Sequence, residues 1–224
     1  VDISASNVTL KATWNSHFYN LWANFTEDTT PDVTADFIVA RDLSATTMKK
    51  VLIKNIGIGK QTIWVPAAAM TPRTTNGPAS ATTESTTNDV MNKLLDFDQT
   101  TSEGAQFTIA FPKGWNESTV TFIPYWTAAS GTGDVIWSVS GVAISNDEVI
   151  DAAFGTAQTS TDTLIATTDV HVGPESSAIT IAGTPAEGDI VYFQITRDIS
   201  DTLNADARLI GIKVIYTTNA NTDD

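Results

Sequence analysis

Two histidines are the side chains that could act as a general base or a metal ligand. His17 lies within an aromatic segment near the N-terminus, and His171 precedes Gly173. Hydrolysis requires a base beside a nucleophile, or two carboxylates that face one cleft. Neither histidine belongs to a nucleophile motif, and the sequence contains no Gly-x-Ser-x-Gly. The sequence therefore predicts no catalytic residue and a protein that is not an enzyme.

Two acidic groups raise the question of a metal site. Asp96 and Asp98 are two residues apart and would share one side of a strand, where carboxylates and carbonyls can hold Ca²⁺. Asp198, Asp201 and Asp206 form a second acidic loop, which lacks the regular oxygen spacing and the glutamate of a calcium-binding helix loop. A solvated surface explains both groups. We therefore predict no metal and no cofactor.

The six tryptophans suggest a different chemistry, because an exposed indole can stack on a sugar ring. Trp64, Trp126 and Trp137 lie inside strand patterns, where packing in the core is the expected role. Trp115 lies in a turn instead. Of the tryptophans, Trp115 is the one we expect to be exposed, as a possible ligand contact.

Three central strands would have to position these side chains. Residues 105–111, 119–127 and 135–142 read as strands, and turn residues separate them. Their two short connections predict antiparallel neighbours. Pro124 cannot donate a ladder hydrogen bond, which places its strand at an edge or at a bulge. In the first strand, alternate positions hold Phe107, Ile109 and Phe111, as in a sheet buried on one face.

The remaining pattern predicts an all-β fold. A single short helix is expected at 146–154, and 67–88 reads as a functional loop or a surface arm. Short strands separated by turns fit an antiparallel β-sandwich, jelly-roll-like, better than an α/β fold. The further strands predicted in this part of the chain are 62–66, 92–97, 163–167, 178–182, 189–196 and 208–217.

Residues 1–60 differ in sequence pattern from the rest of the chain. They are predicted to form an N-terminal arm ahead of a β-sandwich domain at 61–224. The arm contains two short strand patterns, at 36–41 and 48–55. Large apolar side chains recur in it at helical spacings of three and four. This helical stripe packs on the protein's own sandwich or on a neighbouring copy, or it docks into a larger assembly. Its residues are Trp14, Phe18, Leu21, Trp22 and Phe25.

Composition excludes several classes of partner. A net charge of −14 argues against nucleic acid, because phosphate binding requires clustered lysine and arginine. No apolar run approaches the roughly 20 residues of a membrane helix, and the N-terminus has no charged-then-apolar signal pattern. The chain has no cysteine, so the fold needs no disulfide. These features predict a soluble protein that is not exported and binds neither nucleic acid nor membrane.

Four segments and the end of the chain resemble a known family. They are Ile63-Trp-Val-Pro-Ala-Ala-Ala-Met70, Phe111-Pro-Lys-Gly-Trp-Asn116, Phe122-Ile-Pro-Tyr-Trp-Thr127 and Ala207-Arg-Leu-Ile-Gly-Ile-Lys213, followed by Tyr216-Thr-Thr-Asn-Ala220. Over about 61–224 the chain resembles a β-sandwich domain in virion proteins of tailed, often marine, bacteriophages, found in decoration proteins and tail-fibre ends. The resemblance implies no catalytic residues and a homotrimer.

The resemblance, together with the short arm, leads to an expected function. The protein is expected to be a capsid decoration or cement protein that binds the major capsid protein or other virion proteins across subunit boundaries. It would be made in the host bacterial cytoplasm and act on the particle surface. The alternative is a receptor-binding tail-fibre or spike tip, in which Trp115 and 67–88 contact a cell-surface glycan. A polysaccharide-degrading enzyme using Asp96 and Asp98 is the third class.

Overall fold

The computed structural model describes residues 37–42, 47–52 and 58–220. Backbone contacts divide the chain into two units, Val1–Ile56 and Gly57–Asp224. The described part of the first unit is a hairpin of strands β1 (Phe37–Asp42) and β2 (Thr47–Leu52). This hairpin confirms the two short strands predicted there. The aromatic stripe (Trp14, Phe18, Leu21, Trp22 and Phe25) lies outside the described residues.

In the described part of the second unit, 58–220, the regular elements are strands and one 3₁₀ turn at Ala67–Ala69. Its strands are β3 (Gly59–Pro66), β4 (Thr71–Pro72), β5 (Ala79–Glu84), β6 (Met91–Phe97), β7 (Gly104–Ala110), β8 (Thr121–Thr127), β9 (Asp134–Ile144), β10 (Gln158–Thr163), β11 (His171–Val172), β12 (Ile190–Arg197) and β13 (Ala207–Thr218).

The strands form two antiparallel sheets. One sheet has the order β10-β9-β12-β7-β4, and the other has the order β11-β8-β13-β6-β5 with β3 also paired to β13. Strands β6 to β13 make four nested antiparallel pairs, β9 with β10, β8 with β11, β7 with β12 and β6 with β13, which alternate between the sheets. This nesting is the jelly-roll arrangement. The predicted all-β, jelly-roll-like sandwich is confirmed.

Alternating apolar side chains from both sheets fill the core. In β12, Val191, Phe193 and Ile195 are fully buried, and intervening residues are partly exposed. Phe97 of β6 meets Trp137 of β9 edge to face, with ring centroids 5.1 Å apart, and so joins the two sheets. Burying one such side chain stabilises the fold by roughly 1.5–3 kcal/mol. The core therefore holds the sandwich together without cysteine.

The prediction that the three central strands are neighbours is wrong. The observed β7 and β9 lie in one sheet, and β8 lies between them in sequence but belongs to the other sheet. The sheets of a sandwich are only about 10 Å apart, so a short connection can cross between them as easily as it can turn a hairpin. Connection length alone did not distinguish the two cases.

The short helix predicted at 146–154 is absent. Strand β9 continues to Ile144, and a turn follows in which the Glu148 amide donates to the Ser145 carbonyl at 3.2 Å. The Glu148 carboxylate also accepts from the Ser145 amide at 3.0 Å. Asp147 has φ 65°, in the left-handed region, which a right-handed helix cannot accommodate. These local hydrogen bonds stabilise a turn instead of a helix.

Three other sequence assignments change. Residues 67–88 are not one long loop, because β5 lies within them and pairs with β6. The strand predicted at 163–167 is β10, which ends at Thr163. The strand predicted at 178–182 is reduced to isolated bridges at Ile179 and Ala182. Strands β5 and β10 end their sheets, and their less exposed positions hold small or polar residues such as Ala81 and Ser160, so their sequences carry no apolar alternation.

Pro124 lies in β8 beside the two-residue strand β11. The amide of Gly173 donates to the Pro124 carbonyl at 3.0 Å, so the backbone nitrogen and carbonyl of Pro124 face that side. The pairing with β11 covers only Tyr125 and Trp126. Strand β8 is therefore not an edge strand, contrary to the prediction, but the missing N–H of Pro124 lies just beyond the two-residue ladder with β11 and costs that ladder no hydrogen bond.

Candidate functional site

The outer side of the six-stranded sheet carries aromatic and polar side chains on β3, β13 and β8. Trp64 of β3 pairs with Lys213 of β13, which in turn pairs with Ile123 of β8. Neighbouring residues on each strand point into the core, including Val65, Val214 and Phe122. Because side chains alternate along a strand, the first three side chains lie together on the side away from the core. We call this side the outer face.

Trp64 and Tyr125 form an edge-to-face pair on the outer face. Their ring centroids are 5.1 Å apart and the interplanar angle is 87°. Trp64 keeps 45% of its surface exposed, and Tyr125 is partly exposed. The pair therefore presents a partly fixed aromatic surface to solvent, in the geometry that aromatic rings prefer.

A glycine makes room for this pair. Gly211 of β13 lies opposite Tyr125 on one side and Pro66 on the other. A Cβ at Gly211 would lie 2.6 Å from Cζ2 of Trp64 and 2.7 Å from the carbonyl oxygen of Val65. Any larger residue would push the indole away from its position over β13. Space, and not backbone conformation, is the reason for glycine here.

Lys213 completes the aromatic site. Its Nζ lies 5.2 Å from the centroid of the Tyr125 ring, within the range of a cation–π interaction. Within 58–220, the structure gives this ammonium no carboxylate partner. The aromatic surface is therefore flanked by a positive charge that is not neutralised by those residues.

A groove continues the outer face along β8 and β13. It has a volume of about 290 Å³ and combines hydroxyl, amide, charged and aliphatic side chains. Thr127, two positions after Tyr125 on β8, lines it, so the groove and the aromatic pair share one face. Its lining residues are Thr83, Glu84, Ser85, Asn92, Leu94, Thr127, Ala128, Thr168, Val170, Arg208 and Ile210.

Of the three acids beside the aromatic pair and the groove, Glu175 pairs with Lys60 at 3.0 Å and Asp96 pairs with Arg208 at 3.2 Å, and the third is Glu84 of the groove lining. Across 37–42, 47–52 and 58–220, no three His, Cys, Asp or Glu side chains are grouped so as to hold a metal ion. The same residues contain no helix long and apolar enough to span a bilayer.

Trp115 is placed differently from the sequence expectation. Its side chain is 4% exposed and stacks on Phe111 with centroids 4.3 Å apart. The prediction that Trp115 is the exposed tryptophan is wrong, because the chain after β7 folds its turn back onto the core and buries the indole. The Trp115 amide donates to Pro112 and Asn116 donates to Thr217, which anchors this turn against β13.

Asp96 and Asp98 do not face a common ligand. Asp96 lies in β6 and binds Arg208, whereas Asp98 follows the strand and caps the next turn. Asp98 Oδ1 accepts from the amides of Thr100 and Thr101, each at 2.7 Å. Hydrogen bonds from the Thr100 hydroxyl and from these amides lower the pKa of Asp98. Both aspartates have structural partners.

Glu103 adds a third acid to this end of the sandwich. Its Oε2 accepts from the Asp98 amide at 2.7 Å. Burial raises the pKa of Glu103, and the charges of Asp98, Asp206 and Asp96 raise it further, against the lowering effect of that amide. Burial is thus the main cause of this raised pKa, and the neighbouring aspartates add to it.

The acidic loop after β12 is held by a buried arginine. Arg197 Nε and Nη2 donate to the Asp201 carboxylate at 2.8 and 3.1 Å. The Arg197 guanidinium also donates to the carbonyls of Phe97, Ala205 and Leu203. The loop therefore packs around a buried ion pair whose guanidinium is fully hydrogen-bonded. Its carboxylates do not converge on a common cation site.

His171 is also structural. It is buried in β11, and its Nε2 lies 2.9 Å from the carbonyl oxygen of Ala166. Its ring packs against Trp126, with centroids 4.9 Å apart. His17 lies outside the described residues.

Sequence reasoning assigned Trp64 to the core and overlooked Tyr125 and Lys213. The signal for Trp64 was present, because Ile63 and Val65 on either side take the inward positions of β3. Lys213 likewise lies between Ile212 and Val214, which are buried. The alternation of side chains therefore contained the outward direction of Trp64 and Lys213, but it could not show that these two residues and Tyr125 are neighbours.

Comparison with known proteins gives information about the fold only. No protein-family model and no curated protein sequence matches the chain. Among solved structures, the chain is similar to the family 11 carbohydrate-binding module from Clostridium thermocellum (7% identity, TM-score 0.43, 73% of this chain and 99% of that one). It is also similar to CBM35 from Cellvibrio japonicus Abf62 (8% identity, TM-score 0.41, 71% and 99%).

A third similar structure is the Arthrobacter globiformis T6 isomalto-dextranase complexed with panose (15% identity, TM-score 0.45). That match covers 68% of this chain but only 23% of the larger protein. A match to a cycloisomaltooligosaccharide glucanotransferase from Paenibacillus sp. covers 18% of that protein. These likenesses concern the β-sandwich fold and carry no argument about function. The resemblance to phage virion domains stays a prediction.

Proposed function

We propose that this chain is a non-enzymatic carbohydrate-binding module that holds a glycan chain on its outer face. The observation that supports this most is the exposed indole of Trp64, fixed edge to face against Tyr125 beside a groove lined by both polar and aliphatic side chains. Sites that bind without turnover need a shaped surface and polar groups that fix orientation, but no base and nucleophile.

The chemistry of a sugar matches this surface. A pyranose ring has faces of C–H groups, which pack on the π-face of an indole or phenol, and hydroxyls around its rim. Trp64 and Tyr125 offer the aromatic surface, and Asn92 and Thr83 in the groove offer hydrogen-bonding groups. The proposal keeps the glycan-binding alternative from the sequence but moves its contact from Trp115 to the outer face.

The test is a binding screen with the whole chain and one matched pair of variants. The purified protein is applied to an array of plant, microbial and animal glycans, and the strongest ligand is titrated by calorimetry. Trp64→Ala should weaken binding about tenfold or more, as expected for a stacking contact of roughly 1–3 kcal/mol. Ile165→Ala, at a residue 88% exposed elsewhere, should leave the affinity unchanged. Equal affinities for both variants would contradict the proposal.

A second candidate function is the capsid decoration role expected from the sequence, as a homotrimer on a phage particle. An apolar surface at the end of β9 and the start of β12 favours a protein contact of this kind. Val149 and Ile150 are 75% and 71% exposed, and Ile190 is 46% exposed. Ile150 and Ile190 line a groove of about 310 Å³ together with Tyr192. Exposed apolar groups that cluster are typical of protein interfaces.

Copy counting on particles tests this candidate. If the protein decorates a capsid, its copy number should be comparable to that of the major capsid protein, and Ile150→Asp should reduce the bound amount. Ile165→Asp is the control, because it adds the same charge at an exposed site outside this groove. A handful of copies per particle, or full occupancy by the Ile150→Asp variant, would argue against decoration.

A further inference from the structure

We propose that the ligand of the outer face is an acidic carbohydrate, whose sugar units carry carboxylates, and that Lys213 recognises the carboxylate. This inference rests on the proposed carbohydrate-binding function and narrows its ligand class. It comes from the charges around the aromatic pair, which differ in whether they have partners.

The other charged groups beside the aromatic pair are paired. Lys60 binds Glu175 at 3.0 Å, and the Thr121 hydroxyl donates to the same carboxylate at 2.6 Å. Arg208 binds Asp96 at 3.2 Å across the strands. Neither pair leaves a net charge for a ligand.

Lys213 is different. Its Nζ contacts the Tyr125 ring, and the described residues offer it no acid. An ammonium has three donors and no acceptor, and a ring face satisfies only part of this capacity. A charge-assisted hydrogen bond to a carboxylate is the strongest interaction still open to it.

The position of Lys213 also suits this role. It is the cross-strand partner of Trp64 and lies over Tyr125, so it adjoins both rings of the aromatic pair. A sugar stacked on Trp64 would hold its ring substituents near the ammonium. In such a complex, the indole of Trp64 stacks on the sugar ring of a uronate, and the ammonium of Lys213 binds its carboxylate.

The overall charge of the protein does not prevent this contact. The net charge of −14 is spread over the chain, and at physiological salt charges are screened beyond about 8 Å. Glu84, the one acid of the groove lining, lies on β5, the outermost strand of the sheet. A single unpaired lysine is too little for nucleic acid, which requires several cations along a phosphate backbone. An isolated carboxylate on a sugar fits better.

The experiment compares ligands that differ only in charge. Oligogalacturonides, alginate oligosaccharides and sialyllactose are titrated into the whole 224-residue chain, each beside its own methyl ester, at low and at high salt. A sulfated neutral oligosaccharide is included as a different anion. The variants are Lys213→Gln, Trp64→Ala and Lys113→Gln, the last being an exposed lysine paired with Glu187 in the turn between β7 and β8. Circular dichroism confirms that each variant is folded.

We expect at least one carboxylated glycan to bind about five- to tenfold more tightly than its methyl ester at low salt. Lys213→Gln should remove this ratio while keeping the affinity for the ester, and Lys113→Gln should change neither. Trp64→Ala should weaken both ligands.

Three results would overturn the inference. Equal binding of acid and ester, a preference that survives in Lys213→Gln, or a preference for the sulfated sugar over every carboxylated one would each exclude carboxylate recognition, while the carbohydrate-binding function would stand. If none of the glycans, charged or esterified, binds and the broad array is also negative, the proposed function itself fails.

Discussion

Arg197 and Asp201 form an ion pair inside the sandwich, with Arg197 Nε 2.8 Å from Asp201 Oδ2 and side-chain exposures of 0% and 2%. The pair joins the end of β12 to the loop that leads into β13. Because the guanidinium also binds three backbone carbonyls, it acts as the centre of this end of the fold.

Asp201→Asn should therefore lower the free energy of unfolding by about 3–5 kcal/mol, since it leaves the buried charge of Arg197 uncompensated. Urea unfolding followed by circular dichroism measures this. The control is Glu187→Gln, which breaks the exposed pair with Lys113 and should cost about 1 kcal/mol or less. Similar stabilities of the two variants would show that the buried pair has no special role.

Substitutions of Trp64 and Trp115 should have opposite effects on glycan binding and on the stability of the fold. Trp115→Ala removes a buried, stacked indole and should cost about 3–5 kcal/mol in the free energy of unfolding, with no change in glycan affinity of the folded protein. Trp64→Ala should do the reverse, with a small loss of stability and a large loss of affinity. Denaturation and calorimetry on the same two variants give both numbers. If Trp115→Ala abolished binding in a folded protein, the sequence-based assignment would be restored.

Gly211→Ala should displace the indole of Trp64 without altering any aromatic residue. The new Cβ would lie 2.6 Å from Cζ2 of Trp64, so the ring must move or the strands must separate. We expect a changed tryptophan fluorescence spectrum and weaker glycan binding, about as weak as in Trp64→Ala. Wild-type emission together with wild-type affinity would show that the close packing of the indole on β13 is not needed.

Glu103 should make stability depend on pH in a defined direction. Burial raises its pKa above the ordinary 4.5, so the folded state holds this proton more tightly than the unfolded state. The stabilising contribution is fully present below pH 4.5 and is lost as the pH rises through the higher folded pKa. Relative to Glu103→Gln, the wild-type protein should thus become less stable as the pH rises through this window. Urea midpoints measured at several pH values, showing a constant difference, would contradict this.

The contribution of Asp98 to stability should depend on pH in the opposite direction. Hydrogen bonds from Thr100 lower its pKa below 3.8, so its contribution is present above pH 3.8 and is lost as the pH falls through the lower folded pKa. Asp98→Ala should be less stable than the wild type at neutral pH, and the difference should shrink in acid. A difference that grew on acidification would show that the turn after β6 does not depend on the carboxylate.

Much of the sandwich could be predicted from alternation. Strands with one buried face, such as β6, β7, β8, β12 and β13, were found within a few residues of their observed bounds. Strands β5 and β10 were not predicted at their observed bounds, because the less exposed positions of these end strands hold small or polar residues, such as Ala81 and Ser160, which give no apolar period. The order of strands within the sheets was not predictable either, since it depends on pairings between distant segments such as β6 with β13.

The candidate site likewise could be predicted only in part. The outward direction of Trp64 was readable from its inward-facing apolar neighbours, the partly buried Ile63 and the buried Val65. Its contact with Tyr125 and its pairing with Lys213 were not, because these depend on the register of β3 and β8 against β13. The space left by Gly211 was also invisible until that register was known.

The most direct test of the central claim uses the indole N–H resonances of the six tryptophans, assigned in two-dimensional nitrogen–proton NMR spectra by single substitutions. A glycan identified on the array is titrated into the labelled protein. Binding on the outer face predicts that the Trp64 resonance shifts with the ligand concentration, while those of the buried Trp126 and Trp137 stay nearly constant. A saturable glycan titration that leaves the Trp64 resonance unmoved would contradict the account.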